Sequence, residues 1–172
     1  MRKTRIGLVA GAVGVVTAAV AMAGPGTSTG PSSSQAPYLV PTATGVSIKP
    51  ILTVGDSVNT KPDGTPYRLV GIPDGLGAFE NDDHRTFTLL ANHELTNAVG
   101  IPRAHGAIGA FVSKWTIDEK TLKVTRGEDL IQNIATWNTA TSTWNAPAKG
   151  IALSRLCSAN LAAKDGFYDR RT

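Results

Sequence analysis

Residues 110–118 alternate apolar and polar positions, placing Phe111, Ser113, Trp115 and Ile117 on one side of the chain. A period of two is the mark of a half-buried strand. Residues 118–120 supply a turn, and residues 121–125 return with Leu122 and Val124 inward, so the pattern predicts a β-hairpin. A second apolar run, residues 87–91, is bounded by turn signals and leads straight into Asn92, His93 and Glu94. It predicts a buried strand that delivers an amide, an imidazole and a carboxylate to the edge of a sheet.

The rest of the chain follows the same grammar. Residues 46–54 are β-branched but interrupted by Pro50, which restricts them to an edge strand or two short pieces. After a turn at Pro62-Asp63-Gly64, residues 67–72 predict a strand. Pro73-Asp74-Gly75 predicts another turn, and residues 76–79 resume a strand thinned by glycine. Residues 80–85 predict a hairpin loop, and residues 130–137 with Thr143-Trp144 a further hairpin around the tip 138–142. Helical periodicity is all but absent; residues 158–164, with Ser158 as N-cap, are the one hint of it.

Short strands with frequent turns predict an all-β fold, a propeller or a sandwich. At roughly 40–45 residues per blade, the region after residue 45 holds two to three blades of an incomplete ring. The expected organisation is a signal peptide over residues 1–23, a flexible Gly/Ser/Pro-rich tether over residues 24–45, and a truncated β-propeller-like domain over residues 46–172.

Charge changes the picture once the amino terminus is read. Arg2, Lys3 and Arg5 precede an uncharged apolar run that ends in Ala21-Met22-Ala23, the pattern of an export signal cut after Ala23. The run is long enough to serve as a retained anchor, yet its Ala- and Gly-rich character favours cleavage, with no stable membrane insertion afterwards. The expected location is therefore secreted or periplasmic. The formal net charge of +4 counts 17 basic against 13 acidic residues. Cleavage removes three of the basic ones, leaving about +1, so the apparent basicity gives no ground for nucleic-acid binding. The chain carries 1 cysteine, Cys157, which excludes an internal disulfide.

Several side chains are candidates for chemistry. The acidic loop 80–85 suits calcium by density, but the D-x-[DN]-x-[DN]-G spacing is absent and a solvated hairpin tip is the plainer reading. The long connection 95–109 carries Arg103, whose fork suits a bidentate grip on a phosphate or, equally, a neighbouring acid. Trp137 and Trp144 suit an exposed binding surface or a core.

The segments YRLVGIPDGLGAF, TFTLLANHEL, RAHGAIGAFVSKWTID and ALSRLCSANL, in that order, resemble the amino-terminal part of the PhoX-type alkaline phosphatase family. The resemblance covers most of residues 53–161. It implies an exported six-bladed β-propeller that hydrolyses phosphate esters at a cluster of calcium and iron ions, held by carboxylates with a cysteine contributing. Glu94 would be a metal ligand, Asn92 and His93 would support it, and Cys157 would ligate or else pack as a buried inert thiol. One departure bears on activity: the glutamates are Glu80, Glu94, Glu119 and Glu128 alone, too few for a multi-metal site of hard cations.

The expectation is an exported phosphoesterase, or a truncated and inactive amino-terminal fragment of one that needs a missing carboxy-terminal part or a partner to close its fold. The alternative is a non-catalytic extracellular β-domain that binds protein or polysaccharide.

Overall fold

The structure, a computed structural model, describes residues 28–159. The signal segment 1–23 lies outside the described residues, as do residues 160–164 of the helical hint. Among the described residues the fold is all-β, with eight strands and no helix.

Strands β1 (Ser57–Thr60) and β2 (Pro66–Arg68) form an antiparallel pair. The centre is a four-stranded antiparallel meander of β3 (Pro73–Glu80), β4 (Thr86–His93), β5 (Phe111–Asp118) and β6 (Val124–Asp129), in that spatial order. A small hairpin of β7 (Trp137–Asn138) and β8 (Thr143–Trp144) follows. None of the three sheets closes on itself.

The alternation expected in β5 is present: Phe111, Ser113, Trp115 and Ile117 are all buried, while the residues between them are half-buried. Register sets Leu89 against Trp115, Ala91 against Ser113 and His93 against Phe111, so these side chains share the inner face. Tyr67, Trp115, Ile117 and Val124 form the core, with Ile51, Leu52, Val58, Leu69, Phe87 and Leu89 packed around it. Each such side chain taken fully from water contributes about 1.5–3 kcal/mol. Close approach explains Gly127 in β6. A Cβ there would lie 2.3 Å from Cζ3 of Trp115 and 2.7 Å from Cδ1 of Tyr67.

Four local expectations are corrected. Residues 46–54 form no strand: Pro50 has no N–H, and the Thr53 N–H is taken by the Asp56 carboxylate at 2.7 Å. Pro73-Asp74-Gly75 does not turn the chain but opens β3, with a register shift between Pro73 and Leu76. Its cause is non-local, because the Gly75 N–H donates to the Cys157 carbonyl at 2.9 Å. Leu122 sits in the β5–β6 turn at φ 59° instead of in a strand, and the turn is held by Asp118, which accepts from the Thr121 N–H at 2.7 Å. The tether is not wholly free: Ser32 Oγ accepts from the Val124 N–H at 2.9 Å, and Ser33 Oγ lies 2.8 Å from the Thr53 hydroxyl.

Candidate functional site

The β3–β4 hairpin brings the start of one strand beside the end of the other, and the site lies there. Pro73 pairs with His93, so Asp74 and Glu94 emerge at the same end of the sheet. The Glu94 N–H donates to the Ile72 carbonyl at 3.0 Å, which continues the pairing past the formal end of β4. Residues 155–157 cross this end. The Asn92 side-chain amide donates to the Cys157 carbonyl at 3.3 Å, alongside the Gly75 N–H. Three segments distant in sequence are thereby fixed by backbone and amide hydrogen bonds before any ligand is considered.

Among the described residues, Asp74, Glu94 and Cys157 form a group whose ligand atoms all lie within 4.8 Å of one another. Asp74 is exposed, and Glu94 and Cys157 are half-buried. Glu94 Oε1 accepts from Cys157 Sγ at 2.9 Å and from Arg155 Nη2 at 2.8 Å. The thiol bond, and secondly the Arg155 charge, hold the Glu94 carboxyl below its ordinary pKa against some desolvation. The same bond, with desolvation, pushes the Cys157 thiol above its ordinary value, so it is protonated at neutral pH. Cys157 is half-buried and not sealed in the core, though its raised pKa leaves it a weak nucleophile at neutral pH.

The residues singled out in the sequence are not all at this point. Asn92 touches Cys157 and belongs to it. His93 does not: it is fully buried on the inner face, stacked on Phe111 at 4.1 Å with 8° between the planes. Its Nε2 lies 2.8 Å from Ser113 Oγ, which also accepts from Trp115 Nε1 and donates to the Ala91 carbonyl at 3.4 Å. Burial pushes the His93 pKa down to about 4. The support expected of His93 for Glu94 is thus corrected to a core role.

Arg103 resolves to the second of its two readings. Its Nε and Nη2 donate to Asp129 Oδ1, and the two side chains are 5% and 9% exposed. The guanidinium lies 3.7 Å from the centre of the Phe111 ring. Asp129 also accepts from the Tyr67 hydroxyl at 2.7 Å and the Ala104 N–H at 2.8 Å. Desolvation and the Asp129 charge raise the Tyr67 pKa.

The acidic loop behaves as a hairpin tip. Asp83 accepts from the Arg85 and Thr86 N–H groups at 2.9 Å, and exposed His84 meets Glu80 at 2.7 Å. Trp137 and Trp144 are half or more exposed, set edge-to-face at 5.4 Å.

Sequence reading missed Asp74, having placed it in a turn. The signal was available: a hairpin centred on residues 81–85 carries the neighbourhood of residue 73 to the Asn92-His93-Glu94 triplet. His105, buried with neither ring nitrogen bonded, was also passed over. Comparison with protein-family models, curated proteins and solved structures yields no match to this chain.

Proposed function

We propose that the chain is an exported part of a metal-dependent phosphoesterase of the PhoX-type kind that its motifs resemble, carrying an incomplete cation site at Asp74, Glu94 and Cys157. The observation that supports this reading is the convergence of two carboxylates and a thiol, from three separate segments, within 4.8 Å. The four-stranded meander β3–β6 has the strand number and order of one propeller blade, which supports the propeller reading.

The donor set fits a single cation of borderline softness such as iron, since thiolate and carboxylate together suit that class. It does not fit calcium, which takes about six to eight oxygen ligands. When bound, a cation at these residues would supply Lewis-acid polarisation of a phosphoryl oxygen. The chain's own part is to hold and exchange a proton. Cys157 Sγ–H donates to Glu94, so ligation requires the thiol to release that proton and Glu94 to loosen its bond from Arg155. Two carboxylates and one thiol do not clamp both the attacking and the leaving oxygen of a phosphate ester. Turnover therefore requires donors beyond these three.

The test uses the purified chain and Glu94→Ala, titrated with Fe²⁺ under anaerobic conditions and assayed on p-nitrophenyl phosphate. We expect one equivalent of Fe²⁺ to bind, with affinity falling at least about tenfold in Glu94→Ala, and phosphate release no higher than in that variant. Turnover above the Glu94→Ala control would make the chain a complete enzyme. Binding indifferent to Glu94 would remove the cation site.

One observation favours a second reading. The exposed Trp137–Trp144 pair is the surface that an extracellular domain binding protein or polysaccharide would present.

A further inference from the structure

A cleft of about 850 Å³ opens where the β1–β2 hairpin leans on β6, away from the residues assigned to the cation. Its walls are tied together: the Asn59 side chain donates to the Gly127 carbonyl at 3.1 Å and accepts from the Gly127 N–H at 2.7 Å. Its floor is the buried Arg103–Asp129 pair with Tyr67. The Asp129 carboxylate is filled by Arg103, Tyr67 and Ala104. Arg103 is not: Nε and Nη2 turn to Asp129, whereas Nη1 has no partner among the described residues. Arg103 lines the cleft, and Nη1 is the part of its guanidinium not turned to Asp129.

Charge selects the ligand class. The cleft is lined by three cations, Lys61, Arg103 and Arg126, and three anions, Asp63, Asp129 and Glu128. Each cation is already paired with one of those anions, so an incoming phosphate finds no net positive field. A ligand with vicinal hydroxyls needs donors and acceptors together, and both are present. Arg103 Nη1 donates; Gln132, held by one amide N–H that donates to the Asp129 carbonyl at 2.7 Å, offers its oxygen as acceptor and its second N–H as donor. Pro62 and Pro102 present apolar surface to the C–H faces of a sugar ring. We propose that this cleft binds a neutral saccharide. The assignment is independent of the cation reading and uses different residues.

Saturation-transfer NMR on the purified chain tests it, with chitotriose, maltotriose and cellotriose as probes and inorganic phosphate as competitor. At least one trisaccharide should take up saturation. Gln132→Ala with Arg126→Ala, both exposed positions, should weaken it about tenfold or more while circular dichroism and the urea midpoint stay unchanged. Trp137→Ala with Trp144→Ala should leave it intact, and phosphate should not displace it. Four results would overturn the assignment: no uptake by any of the three sugars, uptake indifferent to the cleft variant, uptake lost with the tryptophans, or displacement by phosphate.

Discussion

Asp129→Ala destabilises the domain by about 3–5 kcal/mol in urea unfolding, the largest effect expected of any single substitution here. The carboxylate satisfies three donors at once: the guanidinium of buried Arg103, the hydroxyl of buried Tyr67 and the N–H of half-buried Ala104. Removing it leaves an uncompensated charge at a side chain that is 5% exposed, together with two stranded neutral donors. The cost lies in breaking the pair more than in lacking it. Arg103→Met combined with Asp129→Leu should therefore lose much less than Asp129→Ala alone. A loss under about 1 kcal/mol for Asp129→Ala would mean that solvent reaches the pair and that its burial is misjudged.

Acid unfolding is the second large effect. His93 has a folded pKa of about 4 against an ordinary 6.5, because burial disfavours its charged form. The folded state binds fewer protons than the unfolded chain between these values. The stability His93 contributes is thus fully present above pH 6.5 and drains away as pH falls towards 4, amounting to about 3 kcal/mol. His105, whose pKa burial also lowers, acts in the same direction. Exposed Asp63, held down to about 2 by its hydrogen bonds to Thr65, loses its contribution only at lower pH, so the two windows separate. Unfolding free energy measured from pH 7 to 4 should fall steeply in the native chain and much less in His93→Phe. Equal slopes in the two proteins would show that the imidazole is not held neutral.

What the sequence makes legible is the local part of this fold. Period-two alternation places Phe111, Ser113, Trp115 and Ile117 inward because each side chain's direction depends only on its own strand. The same parity, continued from Phe87 through Leu89 and Ala91, sends His93 to the inner face and Asn92 to the opposite one, where Asn92 is buried against residue 157; a strand read as ending at residue 91 groups both with Glu94. Asp74 was illegible for a different reason. Pro-Asp-Gly is a strong turn signal, and a hydrogen bond from Gly75 to Cys157 overrides it from across the sheet. Arg103 and Asp129 stand 26 positions apart with no periodic relation, so nothing local announces the pair. The tryptophans of β7 and β8 read equally well as core or surface, and what exposes them is the absence of any described strand packed on that hairpin.

We propose that Asp74, Glu94 and Cys157 act together on one cation. Cobalt(II) titration reads this most directly, because a thiolate bound to cobalt gives a near-ultraviolet charge-transfer band that carboxylates do not. That band is expected at one equivalent in the native chain, with its loss in Cys157→Ser, weaker cobalt binding in Asp74→Asn and Glu94→Gln, and the release of one proton per ion bound. Cobalt binding without the thiolate band, or a band unaffected by changes at Asp74 and Glu94, would contradict it.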